Sequence, residues 1–336
     1  MRVGIIILNW NGKKLLEKFL PSVVQHSVGH DIYLADNNST DDSVAFTQKH
    51  FSQVQILKMN RNRGYAGGYN RAIKQVENEV LCLLNSDVEV TARWCDRMLD
   101  FFNSNVGLGA AQPKILDYNK RDYFEYAGAA GGFLDRFAYP FCRGRVFTTL
   151  EKDVGQYDSM INLDWASGAC LFVKREAFEK AGGFDNDYFA HQEEIDLCWR
   201  LRKSGYSISI EPAVSIFHLG GGTLSSHDPQ KTFYNFRNSL FNILKNEDSD
   251  YWLVILFVRM LLDGIAAIKF LLEGKWSHFK AIFKAHIDFY RHFSKMKDRR
   301  KSFESKQSIG FKKFALFSVV WQYFIRNRRF FSLLSR

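Results

Sequence analysis

Val3-Gly4-Ile5-Ile6-Ile7-Leu8-Asn9-Trp10-Asn11 opens the chain with an unbroken apolar run that stops on two asparagines. A strand with one wet face alternates apolar and polar residues. This one does not, so it reads as a strand buried on both faces, the pattern of a parallel sheet. The run is too short for the apolar core of a signal peptide, and Asn9 and Asn11 end it. Downstream, strand and helix patterns alternate. Residues 12–25 carry helical spacing through Leu15, Leu16, Phe19 and Val23. A second strand at 32–35 ends at Asp36. Thr40-Asp41-Asp42-Ser43 then opens a helix with a capping side chain and first-turn acids. A third strand lies at 54–59. Residues 60–68 form a glycine-bearing loop leading into a helix near 69–76, and a fourth strand at 80–84 ends in Asn85-Ser86-Asp87. This rhythm predicts an α/β fold, with a mostly parallel sheet covered by helices on both faces. Ligands of such sheets sit at the carboxyl ends of the strands. Asn9, Asn11, Asp36, Asn62 and Asp87 all fall there.

Residues 117–160 break the rhythm, being rich in aromatics, Gly and Arg without a clean period. They read as an inserted loop or small hairpin region near the site. Periodicity resumes with a strand at 170–173 and helices at 175–180 and 193–203. A strand at 207–210 follows, then a flexible loop at 217–222. From Lys231 onward the pattern is helical, so the chain divides at 230/231. Residues 276–297 line Phe279, Ile282, Phe283, His286, Ile287 and Tyr290 along one broad face flanked by lysines and Arg291. Residues 311–331 repeat the theme. Both resemble interfacial helices with cationic side chains whose stems lie along apolar surface. The segment 251–272 is apolar but holds Arg259, Asp263 and Lys269, which argues for an in-plane or bundled helix over a spanning one.

Composition excludes several classes. Of 336 residues, 46% are hydrophobic and 24% charged, which fits a globular chain of about two domains and not a disordered or fibrous one. Five cysteines without a Cys-x-x-Cys pair exclude a zinc ribbon and argue against a disulfide scaffold, so they read as reduced thiols. Charge is divided unevenly: residues 231–336 hold 21 Lys and Arg against 8 Asp and Glu, a net of +13, and the rest of the chain is slightly acidic. A basic tail suits an anionic partner. It lacks any nucleic-acid-binding module, so nucleic acid is not an expected partner.

Four features carry candidate chemistry. Asn85-Ser86-Asp87 places a carboxylate at the mouth of a buried strand, where it can hold a divalent cation through oxygen. A simple turn has the same composition. His191-Gln192-Glu193-Glu194-Ile195-Asp196 puts three acids in a first helical turn. The helix dipole favours them, and one of them can serve as a general base. His218, before three glycines, is a core histidine or a metal ligand. Arg63-Gly64-Tyr65-Ala66-Gly67-Gly68 suits phosphate at a helix start. It lacks the dinucleotide and P-loop spacings, so those chemistries are disfavoured.

Together these stretches resemble the family 2 glycosyltransferases, especially the bacterial rhamnosyltransferase-like group. The resemblance covers about residues 3–225. It is carried by Ile5 to Gly12, Asp36-Asn37-Asn38-Ser39-Thr40-Asp41, Asn62 to Gly68, Leu84-Asn85-Ser86-Asp87, Ser167-Gly168-Ala169, and Gly182-Gly183-Phe184-Asp185 followed by Glu193 to Arg200. It implies a GT-A fold and an inverting sugar transfer from a dTDP-, UDP- or GDP-linked donor, with rhamnose the modal sugar. It places Asn9, Asn11, Asp36, Asn62, Arg63, Gly64, Gly67 and Asn85 on the nucleotide. Asp87 and His218 fall on Mn²⁺ or Mg²⁺, and Trp165, Ser167 and Gly168 on the acceptor or donor-sugar side. The base falls in Glu193-Glu194, with Glu194 favoured and Asp196 the other choice. Three positions depart from the family pattern. Asn85 stands for the first Asp of the metal motif, Glu194 for a usual Asp, and Arg63 for a commonly apolar residue. The acceptor implied is a glycan or lipid-linked glycan for bacterial surface polysaccharide. The tail then serves an anionic membrane surface at the cytoplasmic face through 251–336, or packs as a bundle or homo-oligomer contact. A non-catalytic GT-A module that scaffolds an assembly is the alternative reading.

Overall fold

The computed structural model describes residues 1–220, 228–302 and 316–334. The first half runs β1 (Val3–Asn9), α1 (Lys13–His26), β2 (Asp31–Asp36), α2 (Ser43–His50), β3 (Gln55–Lys58), α3 (Gly64–Ile73), β4 (Val80–Leu84), β5 (Val88–Glu89), α4 (Trp94–Ser104) and β6 (Leu108–Asp117). Four short strands follow: β7 (Gly132–Leu134), β8 (Pro140–Cys142), β9 (Arg145–Val146) and β10 (Thr149–Leu150). Then come β11 (Cys170–Lys174), α5 (Arg175–Lys180), α6 (Glu193–Lys203) and β12 (Ser207–His218). The chain closes with α7 (Pro229–Asn246), α8 (Trp252–Leu272), α9 (Trp276–Arg291) and α10 (Phe293–Ser302), and short π and 3-10 turns at Trp321–Ile325 and Phe331–Leu333.

The main sheet has the order β3-β2-β1-β4-β11-β6-β12-β5. β1 pairs in parallel with β2 and β4, β2 with β3, and β6 with β12. β11 is antiparallel to both neighbours, β4 and β6. β1 is buried on both faces, as its unbroken apolar run predicts. Ile5, Ile7, Cys82 and Phe172 join a core with Trp94, Met98 and Phe102 of α4. Ile6, Leu81, Leu83 and Val173 join the other core with Tyr69 of α3 and Leu197 of α6. The register aligns Asn9 with Asp36, so both asparagine and aspartate leave the sheet on one rim. Asp87 follows β4, and His218 ends β12, on that same rim. All five cysteines are buried and free.

Several sequence expectations shift. α3 starts at Gly64, inside the stretch read as loop. Gly64 adopts φ +67°, and a Cβ there would meet the Phe189 carbonyl at 2.5 Å. A Cβ at Gly68 would lie 2.7 Å from Leu8, so the glycines let the helix lie close on the sheet. His218, read as part of a flexible loop, is the last residue of a 12-residue strand. The rest of that loop, 221–222, lies outside the described residues. Residues 117–160 do form small antiparallel strands, in the order β10-β9-β8-β7.

The tail differs more. The helix read at 276–297 breaks at His292 into α9 and α10. The helix read at 311–331 is not continuous: 311–315 lie outside the described residues, and the remainder is short turns tied to the 117–160 sheet. There the Val319 N–H donates to Asp135, and the Tyr323 hydroxyl meets those of Thr148 and Thr149. α8 is inverted relative to an ordinary surface helix. Its charged Arg259 and Asp263 point inward, paired at 2.9 Å, with the guanidinium over the Tyr139 ring. Leu253, Val254, Phe257, Leu261, Ile265 and Ile268 are exposed. Among the described residues, no helix is long and apolar enough to cross a membrane.

Candidate active site

The rim of β1, β2 and α3 is a web of asparagines. Asn9 donates to Ser43 at 2.8 Å and Ser39 at 3.1 Å, while its Oδ1 is buried without a partner. Asn11, at φ 53°, accepts from the Thr40 N–H at 2.7 Å and so ties β1 to the loop after β2. Asp36 is buried and accepts from the Ser39 N–H at 3.2 Å. Asn37, which sequence reading quoted but gave no role, pins the next loop. Its amide donates to Asn62 at 2.9 Å and to the Gly64 carbonyl, and its Oδ1 accepts from the Arg63 N–H. Asn62 in turn accepts from the Gly64 N–H at 2.8 Å. Arg63 reaches Asn60 through one Nη, and its Nε has no partner. Gly67 packs against Arg63 so closely that a Cβ would sit 2.9 Å away. This rim is a polar cradle of pre-set side chains.

Beside it, His218 joins three elements. Its Nε2 lies 3.1 Å from Asp87 and 3.5 Å from the Asn85 amide, and its Nδ1 lies 3.2 Å from Glu125. Burial opposes charge on the ring, but Glu125 and Asp87 outweigh it and push the histidine up to about 10. Glu125 comes from the 117–160 insertion, where no periodicity singled it out. A carboxylate behind the far ring nitrogen is the arrangement that orients a metal-ligating histidine. Asp87 and His218 could hold a divalent cation as two protein donors, with water or substrate oxygens for the rest, as Mg²⁺ and Mn²⁺ prefer. Among the described residues no group of three His, Cys, Asp or Glu could hold a metal alone.

The acids of α6 separate into three environments. Asp196 is fully buried, with Arg200 at 2.6 Å and Lys245 at 2.8 Å. Burial opposes its charge, and the two cations outweigh that and hold its carboxyl well below the usual range. The sequence offered Asp196 as a base; the ion pairs make it a core charge with no free face. Glu193 is 4% exposed with an unpartnered Oε2, and burial, then the charge of Glu194, pushes it well above the usual range. Glu194 is half-buried, and burial pushes it to about 7 against the pull of helix-start N–H groups. That matches the poise of a general base.

Glu194 faces Gly168. A Cβ on Gly168 would lie 3.8 Å from that of Glu194 and 2.8 Å from the Tyr65 hydroxyl, which donates to the Gly168 carbonyl. Two neighbours from the sequence reading are instead structural. Trp165 is 2% exposed, with its indole N–H on the Phe133 carbonyl and its ring filling the space over Gly132. Ser167 is buried, its hydroxyl on the Ala127 carbonyl and its N–H on Gln112. Neither presents a group to a ligand.

The segment before Glu194 is strained. Phe189, His191 and Gln192 all have φ between 61° and 67°, at about 1–3 kcal/mol each. α7 holds it in place. The Asn238 amide donates to the carbonyls of Tyr188, Ala190 and His191, Arg237 donates to those of Asp187 and Tyr188, and Ser239 pairs with Gln192. Sequence reading assigned α7 to the tail, because helical spacing does not show which carbonyls a side chain caps.

Comparison with known proteins places this geometry. The profile described as Glycosyl transferase family 2 matches residues 4–181. The chain is 27% identical to the N-acetylglucosaminyl-diphospho-decaprenol L-rhamnosyltransferase of Mycobacterium tuberculosis, over 79% of this chain and 90% of that one. It is 23% identical to Rhamnosyltransferase WbbL of Escherichia coli, over 69% of this chain and 87% of that one. Two solved structures share the fold. GalNAc-T7 with UDP, GalNAc and Mn²⁺ superposes with a TM-score of 0.58 at 16% identity, over 75% of this chain and 49% of that one. Residues 1–349 of S. aureus TarS with UDP-GlcNAc superpose at 0.55 and 12% identity, over 91% and 93%. The fold is of the GT-A type, and the chain belongs to glycosyl transferase family 2 as a glycosyltransferase of the rhamnosyltransferase-like group.

Proposed function

We propose that the protein moves a sugar, with rhamnose the first candidate, from a dTDP-, UDP- or GDP-linked donor to a hydroxyl of a glycan or lipid-linked glycan, inverting the anomeric centre. The observation that carries this reading is Glu194: a half-buried carboxylate poised near pH 7, across from Gly168, on the strand-end rim that also holds the asparagine cradle and the Asp87–His218 pair. The cradle of Asn9, Asn11, Asp36 and Asn62 receives the nucleoside. Asn85, Arg63 and Gly67 border its diphosphate. Glu194 removes the acceptor proton as that oxygen attacks the anomeric carbon from the face opposite the leaving group, through a transition state with oxocarbenium character like that of glycoside hydrolysis. Asp87 and His218 would hold Mn²⁺ or Mg²⁺, which when bound offsets charge on the departing diphosphate.

The exposed apolar face of α8, with Lys269, Lys275, Lys280 and Lys284 beside or beyond it, supports a peripheral seat on an anionic bilayer. A lipid-linked acceptor at the cytoplasmic face of a bacterial membrane suits such a seat. The test is a donor panel. Purified protein is incubated with dTDP-rhamnose, UDP- and GDP-sugars and a lipid-diphosphate glycan, with and without Mn²⁺. Transfer from one donor, lost in Asp87→Ala, supports the reading. Nucleotide binding without transfer from any donor would favour a scaffold.

A further inference from the structure

Among the described residues, most buried cations meet a carboxylate. Lys114, Arg200, Arg202, Arg237, Lys245 and Arg259 each meet a carboxylate. Arg143 donates to the carbonyls of Ala130 and Ser159. Arg145 is 7% exposed and meets neither. Among the described residues its hydrogen bond is to the Cys142 thiol at 3.3 Å, and its Nε is buried without a partner. Burial keeps that thiol neutral, so it supplies no counter-charge. The guanidinium lies over the ring of Tyr126, 4.7 Å from its centre, and Tyr126 is half exposed.

Arg145 lies near the His218 group, reached through Tyr126 and within the influence of the Glu125 charge. Tyr126 adjoins Glu125, the residue behind His218. Cys142, beside Arg145, feels the charges of both Glu125 and Glu194. On the other side, Lys231 in the first turn of α7 is half-buried, has no ion pair among the described residues and also feels Glu125. The Nε2 of His191, which feels Lys231, is buried without a partner. A buried guanidinium that meets no carboxylate directly is costly, and here only the more distant charge of Glu125 offsets it. It becomes favourable when an anion arrives, and its planar fork matches phosphate oxygens.

We propose that Arg145, together with Lys231, binds phosphate oxygens of a substrate diphosphate at this site. This rests on the reading of the site as one that takes diphosphate-bearing substrates. The diphosphate belongs either to the donor or to a lipid-linked acceptor, the chemistry named in the mycobacterial relative.

The probe is inorganic diphosphate, titrated into full-length protein with EDTA present so that no metal contributes, and followed by thermal unfolding. Wild type is stabilised progressively. In Arg145→Met the apparent affinity falls about 10- to 100-fold, the loss expected for a charge-assisted contact, and in Lys231→Gln it falls less. Without ligand, Arg145→Met unfolds close to wild type, because methionine keeps the buried stem and no direct ion pair among the described residues is lost. Nucleoside diphosphates and acceptors then identify the source. Weaker UDP or dTDP binding in Arg145→Met points to the donor. Unchanged nucleotide binding, with a KM at least tenfold higher for a diphosphate-bearing acceptor alone, points to the acceptor. Equal diphosphate affinity in wild type and both variants overturns the proposal, as does earlier unfolding of Arg145→Met with no diphosphate effect in wild type. Should Arg145→Met fail to fold, the half-exposed Lys231 decides through its own affinity loss. Absence of sugar transfer with an Arg145-dependent diphosphate response would sink the transferase reading and leave this site standing.

Discussion

Replacing Asn238 by alanine tests whether α7 sets the position of Glu194, the proposed base. Asn238 is fully buried, and its amide donates to the carbonyls of His191 at 2.6 Å, Ala190 at 2.9 Å and Tyr188 at 3.2 Å, while its Oδ1 accepts from Arg237. The alanine leaves at least the two closer carbonyls without donors, at about 1–3 kcal/mol each. The expected loss of stability is about 2–6 kcal/mol, set against the roughly 5–15 kcal/mol of an ordinary domain. The same bonds hold Phe189, His191 and Gln192 at positive φ. With the strain released, the start of α6 relaxes and Glu194 moves. A displacement of about 1 Å at a reacting group costs about 100-fold in rate. Urea unfolding reads the first effect and steady-state kinetics the second, with kcat falling and the donor KM little changed. Wild-type kcat in a variant that has lost the predicted stability would refute the argument that Asn238 positions the base.

Other expectations follow from the same contacts. Asp196→Asn removes the buried carboxylate that Arg200 and Lys245 share, so urea unfolding should show a loss of about 3–5 kcal/mol. A stability near wild type would show that those ion pairs do not hold α6. With Glu194 near 7, the transfer rate should rise as pH climbs through 7 and then level off. Because its folded pKa lies above the unfolded one, ionising it opposes folding between about pH 4.5 and 7. Glu194→Gln should therefore be the more stable protein at pH 8 and lose that advantage below about pH 4.5, a reversal that would be plain in paired thermal melts. Phe257→Glu and Leu261→Glu place charge on the outward face of α8 and should abolish flotation with anionic liposomes. Undiminished flotation would move the membrane contact elsewhere.

The fold was legible where burial is uniform. Val3–Asn9 and Val80–Leu84 announce themselves because both faces of a central strand need apolar residues. β6 did not, since its residues include Gly109, Gln112, Pro113 and Lys114. Pro113 is accommodated where β12 slips register between Glu211 and Ser215, and Gln112 caps the Gly128 and Ala129 carbonyls. Such compensation is tertiary and leaves no local period. At the site, residues that stand at strand ends or in the first turn of α6 were visible by position. Glu125 and Asn238 were not, because each acts on a partner far along the chain. Trp165 and Ser167 lie in the right stretch, but register turned them toward the small sheet and the Ala127 carbonyl. In α8 the charges Arg259 and Asp263 argued correctly against a spanning helix. Only their inward direction reveals that the face left outside is the apolar one.

The most direct test of the account is Glu194→Gln, assayed for sugar transfer and, in parallel, for nucleoside diphosphate binding. A positioned base contributes about 10²- to 10⁴-fold, so transfer should fall by that factor. Donor binding should stay near wild type, because the residues proposed to hold the donor, Asn9, Asp36, Asn62 and Asp87, are untouched. Transfer at the wild-type rate would contradict the assignment of Glu194 as the base, and with it the mechanism built around this rim.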